Sequence, residues 1–236
     1  MILFPIVATG VSAVFAAVLY RRFSVRHRSS NLVWAIALSM FAIASATVIL
    51  GVGTRWDASL YRIFWLFGVM LNVPWLALGS ILLIGNRAVR AISTVVLFVV
   101  SVYAGVVVAL GSPDRVRLRE EEGIPRGSEI WPETDTAFRI GRWYSIVGWL
   151  VVVAIAVWTS RSHRGMRPPQ ESVRGNWLIA VGVTIVAVGG FALSRIGRGE
   201  AFSVTLALGV AIMFAGFLMT ARAPRYRVED PGESPT

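Results

Sequence analysis

Long, uninterrupted runs of apolar residues dominate the chain. A transmembrane helix needs about 20 predominantly apolar residues, because the hydrocarbon core is about 30 Å thick and a helix rises about 1.5 Å per residue. Seven continuous runs meet this requirement, approximately residues 2–20, 32–53, 60–85, 88–111, 142–160, 176–194 and 201–221. The strands of a membrane β-barrel would instead alternate in polarity over about ten residues. The pattern therefore predicts an all-α fold, a bundle of seven transmembrane helices.

The arginines between these runs predict how the bundle is oriented. The segments that follow the first, third, fifth and seventh runs hold 13 Arg and four acidic residues, whereas those on the opposite side hold 10 Arg and nine acidic residues. Because cytoplasmic loops carry the excess of basic residues, we expect the N-terminus outside and the C-terminus in the cytoplasm. No charge precedes Arg21, whereas a signal peptide begins with a basic stretch, so we interpret the first run as an uncleaved helix. We expect a multi-pass protein of the bacterial inner, or plasma, membrane.

The composition excludes most kinds of catalytic and cofactor-binding site. Of the 236 residues, 56% are hydrophobic and 15% are charged, and the mean hydropathy is +0.67; a soluble domain is typically about 45–50% apolar and about 25% charged. Cys is absent and all 23 basic residues are Arg, which excludes thiolate chemistry and Schiff bases. Both histidines, His27 and His163, fall in predicted loops. We therefore expect no enzyme activity, no catalytic residue, no cofactor and no metal site.

One membrane domain is predicted over residues 1–221, followed by a polar cytoplasmic tail, residues 222–236, that we expect to be disordered. The predicted outer loop, residues 112–141, is the one long connection. It permits two main interpretations: an ordered lid over the outer mouth, or a solvated connection whose charges neutralise each other. Calcium binding by its acidic run, Glu120 to Glu122, is a third interpretation, although adjacent glutamates point in different directions.

The third run is the most informative segment. One helical face carries, at spacings of three and four residues, Trp65, Gly68, Asn72, Trp75 and Gly79. Pro74 lies beside this face and cannot donate a backbone hydrogen bond, so we expect a kink that needs a polar partner, for which Asn72 is the candidate. Two interpretations stay open. The first is a packed, kinked helix, and the second is a solute-binding midplane pocket lined by Asn72, Trp75, Tyr103 and Trp149.

Charged residues in two predicted outer turns form a second candidate site. They are Arg55, Asp57, Arg62, Arg195, Arg198 and Glu200. The local interpretation is that Asp57 pairs with Arg62 or Arg55 and fixes its own turn, where water screens the pair and leaves about 0–1 kcal/mol. The functional interpretation is a recognition site on the outer face.

Small residues recur at helical spacing in three of the later runs. These ridges are Ser101, Gly105 and Ala109; Gly182 and Gly189; and Ala207, Ala211 and Ala215. Small residues let helix backbones approach closely, so the ridges predict packing within the chain or docking of a protein subunit or a second copy. The lipid bilayer is the other expected partner, with anionic lipids at the cytoplasmic arginine clusters. Nucleic acid is not expected, because the basic charge is spread over four short loops.

Six tryptophans fall near predicted span ends, where amphipathic rings favour the membrane interface. Trp34, Trp158 and Trp177 fall at inner ends, and Trp56, Trp65 and Trp143 fall near outer ends.

The stretch from Arg55 to Gly79 contains Arg-Trp-Asp, Leu-Tyr-Arg and Asn-Val-Pro-Trp-Leu-Ala-Leu-Gly. It resembles a pattern in uncharacterised seven-span integral membrane proteins of actinobacteria. The resemblance covers about a tenth of the chain and implies no activity and no site residue. The sequence favours a non-catalytic accessory, partner-binding or sensory subunit. The alternative is an uncoupled transporter or facilitator of a small neutral solute that uses the kinked third span.

Overall fold

The computed structural model describes residues 3–84, 86–121, 123–161, 170–189 and 199–222. Every regular element within these ranges is helical. In chain order they are α1 (Leu3–Arg26), α2 (Ser29–Thr54), α3 (Ala58–Phe64), a π-helical turn (Trp65–Leu71), α4 (Asn72–Ile84), α5 (Arg87–Leu110), α6 (Arg115–Glu120), α7 (Gly127–Ile130), α8 (Thr136–Arg161), α9 (Gln170–Val188) and α10 (Gly199–Arg222). The all-α class predicted from the apolar runs is confirmed. Of the predicted tail, residues 222–236, Arg222 ends the last helix and residues 223–236 lie outside the described residues.

Five of the described helices are long and apolar enough to cross a membrane, which is the architecture of a helical membrane protein. They are Leu3–Arg26, Ser29–Thr54, Ala58–Leu82, Arg87–Leu110 and Thr136–Trp158. The third joins α3, the π-helical turn and α4 into one rod, which we call the third rod. Two shorter apolar helical segments, Val173–Val188 and Leu208–Met219, fall within α9 and α10.

Six of the described helices close into a ring. Helix α1 packs against α2, α2 against α4, α4 against α8, α8 against α9, α9 against α10, and α10 returns to α1. Buried aromatic and aliphatic side chains such as Phe15, Trp34, Phe41, Val183 and Phe217 fill the interior. Helix α5 lies outside this ring and packs against α4, the π-helical turn and α8. It is the least buried of the five long apolar helices.

Glycines set the contact between α9 and α10. A Cβ added at Gly182 would lie 2.6 Å from the carbonyl oxygen of Gly209, and one added at Gly216 would lie 2.6 Å from the carbonyl oxygen of Gly175. The two backbones therefore touch where side chains are missing, as small-residue helix contacts do. This agrees with packing of the Gly182 ridge within the chain.

Most described positions of the other two small-residue ridges do not pack within the chain as expected, although Ser101 accepts a hydrogen bond from Trp75 at 3.1 Å. A Cβ at Gly105 would meet nothing within 4 Å, and Ala109 is exposed. Ala211 and Ala215 are exposed as well, because α10 turns Gly209 and Gly216 toward α9 instead. The expectation of packing within the chain is wrong for these positions; the side chain of Ala207 lies outside the described residues.

Three of the six predicted interfacial tryptophans belong to the protein interior. Trp34 is 1% exposed and its indole N–H donates to the carbonyl of Leu76 at 3.2 Å. Trp56 and Trp65 are buried too, so these three rings pack against protein instead of facing the lipid interface. The remaining three, Trp143, Trp158 and Trp177, are exposed.

Candidate functional site

The third rod changes its hydrogen-bond register just before its proline. The π-helical turn ends at Leu71 and α4 begins at Asn72. In an α-helix the nitrogen at position 74 would pair with the carbonyl of Met70, and in a π-helix with that of Val69. Since Pro74 has no N–H, one carbonyl in this turn needs another donor.

Helix α8 supplies that donor. The hydroxyl of Ser145 donates to the carbonyl oxygen of Val69, and the carbonyl of Gly141 in its own helix, at 3.2 Å, is its alternative acceptor. A Cβ added at Gly148 would lie 2.9 Å from the nitrogen of Pro74, so α8 fits directly against the proline. The prediction that Asn72 satisfies the kink is wrong, because the donor that reaches the carbonyl of Val69 is the Ser145 hydroxyl. The buried Oδ1 of Asn72, itself an acceptor, has no hydrogen-bond partner among the described residues.

The four residues predicted to line a midplane pocket are Asn72, Trp75, Tyr103 and Trp149. Trp75 donates its indole N–H to Ser101 of α5 at 3.1 Å, and Trp149 donates to Thr184 of α9 at 2.9 Å. Asn72 is 3% exposed, whereas Tyr103 of α5 is 51% exposed. The two indoles therefore donate hydrogen bonds to different helices. The structure does not bring the four side chains together around one cavity.

An aromatic cluster fills the end of the bundle at which α6 and α7 lie. Its members are Trp56, Tyr61, Phe64, Trp65, Trp131 and Phe138, with neighbouring ring centroids 5.7–6.2 Å apart. Glycines leave the space that the rings occupy. A Cβ at Gly141 would lie 3.0 Å from Nε1 of Trp65, and one at Gly111 would lie 2.7 Å from the ring of Trp131. Tight contact of this kind holds the end of the bundle closed.

The connection between α5 and α8, residues 111–135, folds over this cluster, and we call it the cap. The indole N–H of Trp56 holds the cap by donating to the carbonyl of Gly123 at 2.8 Å. The indole N–H of Trp65 donates to the carbonyl of Ala137 at 3.2 Å, in the first turn of α8 just beyond the cap. Leu118 of the cap is fully buried. Its surface charges also pair locally, Arg117 with Asp114 at 3.4 Å and Arg126 with Glu129 at 3.0 Å. The structure therefore favours an ordered cover over a loosely solvated connection.

Three polar atoms are buried in or beside the aromatic cluster with no partner among the described residues: the Tyr61 hydroxyl, Nε1 of Trp131 and Nε of Arg62. All three can donate a hydrogen bond. Buried donors of this kind are normally satisfied by protein or by ordered water. They mark the underside of the cap as a place suited to hydrogen-bond acceptors.

The charged residues of the predicted outer-face site do not form the ion pairs that we expected. Asp57 caps α3, accepting from the backbone N–H of Leu60 at 2.8 Å, and neither it nor Arg55 is in an ion pair within the described ranges. Arg62 instead donates to the carbonyl of Gly111 at 2.7 Å. The expected pairing of Asp57 is therefore wrong. Arg195 and Arg198 lie outside the described residues, and Glu200 lies in the first turn of α10.

Helix α5 presents an apolar stripe away from the bundle, which we call the α5 seam. Its members are Ile92, Val95, Val99, Val102, Val106 and Ala109. The intervals alternate between three and four residues, so the stripe follows one face of the helix. The first five side chains are 50–63% exposed.

An open groove of about 500 Å³ runs between α5 and α8 beside the cap. Its lining consists of Val100, Tyr103, Thr136, Arg139, Ile140, Trp143 and Tyr144. The hydroxyl of Tyr144 is buried without a hydrogen-bond partner in the described parts of the chain. We call this the α5–α8 groove.

No group of three or more metal-ligating side chains lies together within the described ranges. No family model matches the chain, and no curated protein or solved structure matches it either. The functional interpretation therefore depends on this geometry alone.

Proposed function

We propose that the chain is a non-catalytic accessory subunit of the bacterial cell membrane that binds a partner through α5. The observation that carries the proposal is the position of α5 outside the ring, with its seam turned away from the protein. An accessory subunit needs a stable scaffold and one free face, and this arrangement provides both.

The proposed occupant of the α5 seam is a transmembrane helix of another protein. Apolar residues that alternate at three and four positions form the seam along which helices interdigitate. Four of the six seam residues are valines, whose side chains lose little rotamer freedom on packing because χ1 is already restricted in a helix. Lipid can also cover such a face, so the proposal requires a test that separates lipid from protein.

The absence of cysteine makes that test clean, since an introduced thiol is the sole thiol in the chain. Single cysteines placed from position 92 to position 109 are coupled to a photoactivatable maleimide in native membranes and irradiated. We expect one adduct, of the same identity at every seam position, whose yield repeats every three to four residues. Val14→Cys on α1 is the matched control, being a valine of similar exposure.

Each result decides the proposal. An adduct with a second copy of this chain would replace the partner by a homodimer. Yields spread evenly around α5, or adducts equally strong from Val14→Cys, would overturn the docking role.

The topology proposed for this subunit has seven spans, with the N-terminus outside and the C-terminus in the cytoplasm. It is supported by the arginine asymmetry and by the apolar segments of α9 and α10. We expect a membrane-impermeant maleimide to label Ser128→Cys and Ser194→Cys in intact cells, and Ser29→Cys only after permeabilisation. Labelling of Ser29→Cys alone would reverse the orientation, and protection of Ser194→Cys in intact cells would remove the last two crossings. The resemblance to actinobacterial proteins and lipid binding at the cytoplasmic arginines remain further proposals.

An uncoupled facilitator is the second candidate, and the π-helical turn beside a buried, unpartnered Asn72 favours it. Register changes of this kind often mark functional sites. Against it, the indoles of Trp75 and Trp149 are committed to hydrogen bonds with other helices. Unchanged uptake of a metabolite panel in Asn72→Leu and Trp75→Ala variants would remove this candidate.

A further inference from the structure

The α5–α8 groove combines features that the proposed docking role does not use. It opens sideways, away from the ring, because Tyr103 of α5 and Trp143 of α8 are both more than half exposed. Arg139 lies one turn from the start of α8, close to the cap. Its volume of about 500 Å³ falls within the range of small-molecule sites, about 300–1,000 Å³.

The charge of Arg139 has no protein counter-ion within the described ranges, where the ion pairs are those of Arg117 and Arg126. The nearest carboxylate along the chain, that of Asp135, is already engaged by the backbone N–H groups of Ala137 at 2.8 Å and Ser112 at 3.3 Å. The planar guanidinium of Arg139 can donate two parallel N–H groups, so an unpaired one favours an anion that presents two oxygens to it, such as a phosphate.

The two polar groups of the groove that matter here, the guanidinium of Arg139 and the hydroxyl of Tyr144, lie at different levels along the axis of α8. Tyr144 lies five residues further along α8 than Arg139, which places it about 7.5 Å deeper along the helix axis. Its unpartnered hydroxyl can donate to an acceptor at that level. Val100 and Ile140 supply apolar walls, and aromatic residues with one polar edge prefer this zone of a membrane.

We propose that the α5–α8 groove binds a membrane glycerophospholipid. The guanidinium of Arg139 holds its phosphate, the hydroxyl of Tyr144 donates to an ester carbonyl, and one acyl chain lies between α5 and α8. This order matches the lipid, whose ester groups lie below the phosphate and above the chains. The site differs from the cytoplasmic arginine clusters, because it belongs to the end of the bundle that carries the cap.

The test is native mass spectrometry of the full chain in detergent, titrated with dioleoyl-phosphatidylglycerol. We expect Arg139→Gln to weaken binding about tenfold, as loss of one charge-assisted contact does, and Tyr144→Phe to weaken it several-fold. Arg142→Gln is the matched control, because Arg139 and Arg142 are both exposed on α8 and only Arg139 lines the groove; it should leave binding unchanged. Ile140→Trp should also weaken binding, since it fills the groove and keeps the charge.

Two additional probes separate the possible ligands. Dioleoylglycerol, which lacks the phosphate, should bind weakly and equally to the parent protein and Arg139→Gln. Inorganic phosphate should fail to displace the lipid at millimolar concentration; displacement would show a site for free phosphate and overturn the lipid assignment. Equal effects of Arg139→Gln and Arg142→Gln would overturn the proposal altogether. The docking role of the α5 seam is independent, because none of these variants lies on the seam.

Discussion

Replacing Ser145 with alanine tests how this bundle tolerates a proline inside an apolar rod. The substitution removes the hydroxyl that donates to the carbonyl of Val69. Leaving a buried acceptor unpaired costs about 1–3 kcal/mol, whereas hydrogen bonds between membrane helices contribute about 0.6 kcal/mol on average and about 1.7 kcal/mol at most. Because Pro74 withholds the backbone donor that would otherwise serve this turn, we expect a loss near the upper membrane value, about 1–1.5 kcal/mol.

The assay is reversible unfolding in mixed detergent micelles, followed by circular dichroism and tryptophan fluorescence. Ser24→Ala is the matched control: its hydroxyl faces the carbonyl of Tyr20 in its own helix, at an exposed position, and we expect it to change the free energy of unfolding by less than about 0.5 kcal/mol.

A double-mutant cycle makes the reasoning refutable. Pro74→Ala restores a backbone N–H at position 74, so the carbonyl that needs Ser145 gains a donor within its own helix. The penalty of Ser145→Ala should then fall by about 1 kcal/mol in the Pro74→Ala background, a coupling typical of contacting residues. Equal penalties in the two backgrounds, or equal effects of Ser145→Ala and Ser24→Ala, would show that the hydroxyl does not compensate for the proline.

Substitutions at three further positions probe the packing, the cap and the start of α3. Gly79→Val should cost more than about 2 kcal/mol in the same unfolding assay, because a side chain there would enter the space of the Trp34 indole. Trp56→Phe should speed tryptic cleavage at the cap arginines, since it removes the N–H that holds Gly123; unchanged cleavage would contradict this anchoring. Asp57→Ala should cost about 1 kcal/mol, whereas Asp57→Asn should cost little, because asparagine caps a helix as well as aspartate does; equal losses would instead indicate an ion pair.

The apolar runs predicted the long helices correctly because the requirement that a backbone in lipid form its own hydrogen bonds is a local one. A backbone in lipid must satisfy its own hydrogen bonds, so a sufficiently long apolar run has to be a helix. The proline in the third rod was equally visible, since its missing N–H is a property of one residue. Its partner was not, because Ser145 lies 76 residues from Val69 along the chain and nothing in the local pattern distinguishes it from other serines.

The neighbours of each helix were also beyond the sequence. In a soluble protein the polar face of a helix shows which side meets water, but here almost every face is apolar. From the sequence, Trp34 at the end of an apolar run could equally face a lipid interface or the protein interior. Its close contact with Gly79 and its hydrogen bond to the carbonyl of Leu76 place it in the interior. The outlying position of α5 was hidden for the same reason.

The closed cap and the packed kink bear together on the two candidate functions. A solute that entered from the cap side would have to part the aromatic cluster and the indole hydrogen bonds of Trp56 and Trp65 before it reached Asn72. Near Asn72 it would meet α8, where Ser145 bonds to the carbonyl of Val69 and Gly148 fits closely against Pro74. Transport would therefore require two separate rearrangements, each breaking buried hydrogen bonds or close packing. Binding a helix at the α5 seam requires none, because that face is already free, and this difference in cost is the physical reason to place the partner-binding role first.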